Sequence, residues 1–302
     1  MMNQMLHTSP PVSTAWMRVA RDVLGLFKLR IGFMIMITAL VGSAITPGAA
    51  LGWQKLLVLA LTVLVASASA GAFNQYYERD IDHLMARTRG RAFVTGALPD
   101  TPAWLILMAV MLLAAVSAAA WVLNPLAAVF VFLGAFFYAI VYTVCLKRRS
   151  WLNIVVGGMA GSFAVLAGGA AVDPAIGPLP LILAAVLFLW TPPHFWSLAI
   201  ANQAEYAAAG VPMLPVVVGI PRAARIVFWS AVALGLTALL PVFFGAGPIY
   251  FAGALAGGGY FVYKAWQLVQ NPSRKTAMGA FFASLIQLSL LLVAATLDSL
   301  VR

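Results

Sequence analysis

Residues 53–82 read WQKLLVLALTVLVASASAGAFNQYYERDID. From Leu56 to Tyr77 no side chain carries a formal charge. About 20 mostly apolar residues suffice to carry an α-helix across the hydrocarbon core of a bilayer. Beyond Gly71 the stretch runs, without a further glycine or any proline, into Glu78, Arg79, Asp80 and Asp82. It reads as a membrane span whose tip is rich in carboxylates. Working outward, similar apolar stretches lie at 31–50, 103–122, 124–145, 151–171, 178–200, 226–245, 248–268 and 278–299. Turn chemistry separates them at Pro47-Gly48, Asn124-Pro125, Asp173-Pro174, Gly247-Pro248 and Asn271-Pro272. The expected fold is all-α, a polytopic membrane helical bundle of about nine transmembrane helices.

Composition agrees. The chain of 302 residues is 63% hydrophobic and 9% charged, whereas soluble domains carry about 25% charged residues. The net charge of +10 then reads as a basic membrane face in contact with lipid, not as a nucleic-acid surface. Cys145 is the one cysteine, which excludes an intrachain disulfide and a cysteine-only metal site. Arg18, Arg21, Lys28 and Arg30 surround short apolar stretches that lack a signal-type hydrophobic region and cleavage site. The expectation is a cytoplasmic segment over 1–30, with an amphipathic lead-in, and one membrane domain over 31–302. With nine spans, 16 of the 18 Lys and Arg residues fall on one side, leaving Lys55 and Arg302 on the other. That asymmetry puts the N-terminus and the carboxylate tip in the cytoplasm and the C-terminus outside.

The chain has only eight acidic residues. Asp22, Asp100, Asp173 and Asp298 are scattered near span ends, while Glu78, Asp80 and Asp82 lie within five residues. On a helix Asn74, Glu78 and Asp82 share one face. Oxygen side chains at a membrane mouth suit a hard cation such as Mg²⁺, which takes one or two carboxylates and completes its shell with water and phosphate oxygens. Arg87, Arg89 and Arg91 follow directly, and arginine forks match phosphate oxygens. One reading is therefore a magnesium-bound diphosphate; the other is a solvated loop whose charges pair among themselves.

Two further foci stand out. Trp190-Thr191-Pro192-Pro193-His194-Phe195-Trp196 runs on to Asn202, Glu205 and Tyr206. The two prolines are expected to break the span, with the freed carbonyls lining a cavity or meeting protein. His194 would sit at the break, as an iron ligand, a proton carrier or a plain hydrogen-bonding group. Asn202 and Glu205 offer ligands for a second metal ion. Tyr142-Thr143 with Lys147, Arg148 and Arg149 forms the last focus, as interface anchors or as cations for a diphosphate.

Asn74-x-x-x-Glu78-x-Asp80-x-Asp82 followed by Met85-x-Arg87-Thr88-x-x-Arg91 resembles the first aspartate-rich motif of the UbiA-type intramembrane prenyltransferases. Within that family, Trp190-x-x-Pro193-His194-Phe195 and Glu205-Tyr206-x-x-Ala209-Gly210-x-Pro212-Met213-Leu214-Pro215 resemble the haem O synthases. The resemblance implies a nine-helix bundle in a bacterial-type inner membrane. It implies Mg²⁺-dependent ionisation of farnesyl diphosphate, transfer of the farnesyl group to a vinyl group of haem B, and addition of water. It further implies that Asn74, Glu78, Asp80, Asp82, Asn202 and Glu205 hold metal, and that Asn74, Glu78, Asp82 and His194 are catalytic. Arg87, Arg91, Lys147 and Arg148 would bind diphosphate; His194, Trp190 and Tyr142 would meet the haem. A haem A synthase or haem-copper oxidase assembly would be the protein partner. The competing readings are a family member with a quinone precursor or chlorin as acceptor, an ion-coupled transporter, and a non-catalytic oxidase assembly protein.

Overall fold

The computed structural model describes residues 20–301; positions 1–19 of the expected lead-in, Arg18 among them, and Arg302 lie outside the described residues. Nine long helices dominate: α1 (Leu29–Ile45), α2 (Trp53–Tyr77), α3 (Ala103–Val122), α4 (Pro125–Leu146), α5 (Asn153–Val172), α6 (Pro178–Ala201), α7 (Ile220–Phe244), α8 (Pro248–Gln270) and α9 (Arg274–Val301). No strand occurs among the described residues. Each helix coincides with a stretch read from the sequence, within a few residues at the ends. Seven are long and apolar enough to cross a membrane, and an eighth if Ala20–Leu26 and α1, bent by 44° at Phe27-Lys28, count as one span. The remaining rod is α8, where Lys264, Gln267, Gln270 and three consecutive glycines dilute the apolar run.

Helices in lipid gain little from hydrophobic association and hold together through close packing. The contact of α1 with α5 shows how close. A Cβ on Gly168 would lie 1.8 Å from the Ala39 carbonyl oxygen, and one on Gly42 2.4 Å from the Val165 carbonyl oxygen. α8 meets α9 in the same way, with Gly253 against Ala294 and Gly257 against Gln287. At one end of this pair Asp298 accepts the backbone N–H of Gly247 at 2.7 Å, covering amides that open α8.

Two helices depart from regular geometry. The second half of α4, Phe137–Leu146, is a ten-residue π-helix, a form concentrated at functional sites. In α6 the expected break is absent: the helix runs from Pro178 to Ala201 through Pro192 and Pro193. Hydroxyls beside the prolines bond back to the preceding turn of their own helix. Thr191 Oγ1 donates to the Leu187 carbonyl at 3.0 Å and Ser197 Oγ to the Pro193 carbonyl at 2.7 Å.

Gly168→Val is expected to separate α1 from α5 and lower stability by about 1–3 kcal/mol or more. Gly161→Ala, which meets nothing within 4 Å, is expected to change little. Thermal unfolding of both variants in the same detergent checks this, and equal melting points would refute the backbone contact.

Candidate functional site

The site grows from the end of α2. The helix stops at Tyr77; Glu78 adopts φ −91° and ψ 4°, and Arg79–Asp82 forms a separate turn. Two backbone bonds span the break, Glu78 N–H to Asn74 O and Asp82 N–H to Glu78 O, each 3.0 Å. They preserve the four-residue register, so Asn74, Glu78 and Asp82 stay aligned and all three are buried. Asp80, about 200° round the helix from Glu78, points away. Its carboxylate is 57% exposed and takes a bidentate contact from Arg148 at 2.6 and 2.7 Å. The structure thus separates Asp80 from the other expected metal ligands and Arg148 from the other expected diphosphate cations.

Three cations close over the buried carboxylates. Lys147 Nζ contacts Glu78 Oε1. Arg91 Nη1 lies 2.5 Å from Asp82 Oδ2 and 3.8 Å from Glu78 Oε2. Lys28 Nζ donates to Asn74 Oδ1 at 2.6 Å and to the Tyr138 hydroxyl at 3.2 Å. Burial pushes the Asp82 carboxyl above the usual carboxylate range against the pull of Arg91. Burial likewise pushes the Lys147 ammonium down, against the pull of Glu78. At the surface the hydrogen bond from Arg148 instead holds Asp80 below its ordinary value.

Backbone irregularities place these groups. The Lys147 N–H bonds the Tyr142 carbonyl five residues back at 2.8 Å, as the π-helix requires. Its wide turns also aim the buried Thr143 hydroxyl at Asn74, whose amide donates to it at 3.1 Å. Lys28 sits in left-handed backbone at φ 47°, an uncommon state for a lysine. Gln75 secures that joint by donating to the Gly25 and Leu26 carbonyls at 3.0 and 2.9 Å. Lys28 is the residue that sequence reasoning missed: grouped with the basic lead-in, it lies 46 positions from Asn74 and no motif spacing links them.

The donor set fits a hard cation. Glu78 Oε1 and Oε2 are ion-paired to Lys147 and Arg91, Asp82 Oδ1 is buried with no hydrogen-bond partner among the described residues, and the aligned face offers oxygen ligands. Among the described residues no three His, Cys, Asp or Glu side chains converge, and the Asn202 amide donates to the Leu198 carbonyl at 2.9 Å. The turn that carries Glu205 reaches the cluster through Tyr206, whose hydroxyl accepts from Arg87 at 3.5 Å.

An apolar cavity adjoins the cluster. Lys28, Gly71 and Tyr138 line one end; Val63, Phe130 and Ala164 lie deeper, between α1, α2, α4 and α5. From Gly71 to Val63 the rise along α2 is about 12 Å. The expected acceptor residues separate into two places. Tyr142 stacks on Tyr138 at 5.6 Å, beside Lys147. Trp190 and His194 instead face α9, where Trp190 Nε1 donates to the Ser284 carbonyl at 2.8 Å and His194 Nδ1 lies 2.7 Å from Ser284 Oγ.

Comparison with known proteins agrees with this architecture. The chain is 54% identical over 287 residues to protoheme IX farnesyltransferase 2 of Paramagnetospirillum magneticum, covering 95% of this chain and 99% of that relative. A solved structure described as digeranylgeranylglyceryl phosphate synthase superposes with a TM-score of 0.78 at 17% identity, covering 94% of this chain and all of that one. A UbiA homolog from Archaeoglobus fulgidus bound to DMAPP and Mg²⁺ superposes with a TM-score of 0.68 at 15% identity, covering 92% of this chain and 99% of that one. Residues 35–288 match the profile of the UbiA prenyltransferase family, and the chain belongs to that family.

Proposed function

We propose that this chain transfers the farnesyl group of farnesyl diphosphate to a vinyl group of haem B. The allylic C–O bond breaks and its electron pair leaves with diphosphate. A vinyl carbon bonds to C1 of the farnesyl group; water supplies the hydroxyl and gives up a proton, yielding haem O. The single observation that carries this reading is the buried carboxylate and cation cluster at the mouth of an apolar cavity. The names of the close relatives support the acceptor. The lysine and arginine asymmetry supports a cytoplasmic site, with the N-terminus on the same side.

Asn74, Glu78 and Asp82 would hold Mg²⁺, which when bound supplies charge neutralisation to the diphosphate oxygens. With the carboxylates so engaged, Lys147 and Arg91 become available to the leaving group, beside Lys28 and Arg87. These cations stabilise charge where it develops. The cavity between α1, α2, α4 and α5 holds the isoprenoid chain and keeps water from the allylic carbon. Trp190 and His194 form the haem side of the reaction.

The test uses purified protein in nanodiscs with haem B, farnesyl diphosphate and Mg²⁺, with and without EDTA, followed by mass spectrometry of the haem. The expected result is a metal-dependent gain of one farnesyl group plus water; diphosphate release onto a different acceptor would overturn the haem assignment. In the same assay Asp82→Ala is expected to lose at least 100-fold in rate and Asp80→Ala to stay near wild type. A fully active Asp82→Ala protein would end the metal assignment. Lys28→Met is expected to weaken productive binding of farnesyl diphosphate about tenfold, the equivalent of one charge-assisted contact; an unchanged kcat/KM argues against its role. Ala66→Leu, which narrows the cavity beside Val63, is expected to shift preference from farnesyl to geranyl diphosphate in direct competition.

A further inference from the structure

Away from the carboxylate cluster, a groove of about 670 Å³ runs between α6 and α7. On α7 its wall is the stripe Arg222, Arg225, Ile226, Trp229 and Ala233, spaced as one face of a helix. On α6 the wall is Phe188, Pro192 and Trp196. Trp190 and His194, two residues on from Phe188 and Pro192, stand about 200° round that helix and face α9. The groove thus lies on the other side of α6 from the residues expected to meet the acceptor, and no residue of the carboxylate cluster lines it.

Charge at the groove has one sign. From Tyr206 to Leu297 the sequence has no Asp or Glu, while Arg222, Arg225, Lys264, Arg274 and Lys275 all fall at the same end of α7, α8 and α9. Arg222 and Arg225 are exposed, and among the described residues neither has an ion pair or a side-chain hydrogen bond. They stand in the first two turns of α7, whose N-terminus has no side-chain cap and no acidic residue. Free amides at a helix start carry partial positive charge and favour an anion. Two unpaired guanidinium groups beside such amides match the oxygens of a phosphate.

Below the arginines the groove is apolar and open to the bilayer, since Trp229 is 66% exposed. From Arg222 to Ala233 the rise is about 16 Å, close to one leaflet of a hydrocarbon core about 30 Å thick. Between the charged and apolar parts stands Trp196, 4% exposed, whose indole N–H has no hydrogen-bond partner. A donor left without an acceptor is costly, and a small turn of the ring would bring it to an ester carbonyl entering the groove. The order along the wall is therefore cation, donor, apolar chain. That is the order of phosphate, ester and acyl chain in a phospholipid.

We propose that the groove between α6 and α7 binds one anionic phospholipid from the leaflet on the basic side of the protein. The phosphate lies on Arg222, Arg225 and the first amides of α7. One acyl chain lies along Ile226, Trp229 and Phe188 and ends near Ala233. The ligand is a resident lipid, distinct from both substrates of the transfer reaction.

The experiment mixes the purified full chain in detergent with phosphatidylglycerol or phosphatidylcholine and reads retained lipid by native mass spectrometry, with melting points as a folding control. The expected result is one phosphatidylglycerol per chain, held at least about tenfold more tightly than phosphatidylcholine, as two arginines near a phosphate supply. The double variant Arg222→Gln with Arg225→Gln is expected to erase that preference. Lys264→Gln with Lys275→Gln is expected to keep it, because neither lysine lines the groove. Ala233→Phe, which fills the deep end without changing charge, is expected to weaken retention of phosphatidylglycerol. Equal retention of the two lipids by wild type overturns the proposal. So does an undiminished preference in the arginine variant, or an equal loss in the lysine variant. If the arginine variant does not fold, unchanged phosphatidylglycerol retention in Ala233→Phe overturns it instead. Ferric haem B that displaces the lipid one for one would give the groove to the acceptor and likewise end the lipid assignment.

Discussion

Glu78 and Asp82 are carboxylates with no exposure to solvent, and charge out of water persists only when it is paired. That constraint organises one end of the bundle. Lys147, Arg91 and Lys28 come from three distant parts of the chain and converge on the same two helical turns. Each arrives through an irregular piece of backbone: a π-helix ahead of Lys147, a left-handed residue at Lys28, and a helix interrupted at Glu78. Such local irregularities persist where the surrounding structure over-determines them. Here the buried charges supply the compensation. The arrangement neutralises itself, and the same groups can exchange partners when an anion and a cation enter together.

The rest of the bundle keeps that end rigid. Glycines bring α1 onto α5 and α8 onto α9 at backbone distance. The charged side chain in these contacts, Asp298, lies at one end of the α8–α9 pair. α6 solves a separate problem. Its two prolines remove amide donors inside a membrane helix, yet the helix continues through them to Ala201. The same segment fixes Trp190 and His194 against α9. The carboxylate cluster and the histidine are thus held by different helices, α2 and α4 for one and α6 and α9 for the other, as suits a site that joins two substrates.

Much of this was legible in the residues. Apolar runs of span length located all nine helices, because a bilayer demands such runs and soluble folds do not. The four-residue spacing of Asn74, Glu78 and Asp82 predicted their common face even though the helix is interrupted between them, since the backbone bonds across the break keep the register. The Pro-Pro break was misread, because proline removes an amide donor but its fixed φ is compatible with a helix, and packing decides whether the helix continues. Asp80 and Arg148 were misplaced for a related reason. Proximity in sequence groups Asp80 with Glu78 and Asp82, while helical geometry turns it to the outside.

What the chain's residues fixed unaided was the class of fold, the end at which charge collects and the chemistry of a motif whose parts lie a few residues apart. Periodicity and hydropathy are local properties, and they survive folding unchanged. The choice of Lys28 as a third cation, the sandwiching of His194 and its contact with Ser284 belong to the folded molecule. These groups lie 46, 87 and 90 residues from their partners. Nothing local specifies such pairings; they follow from which helices the close packing of small residues brings side by side.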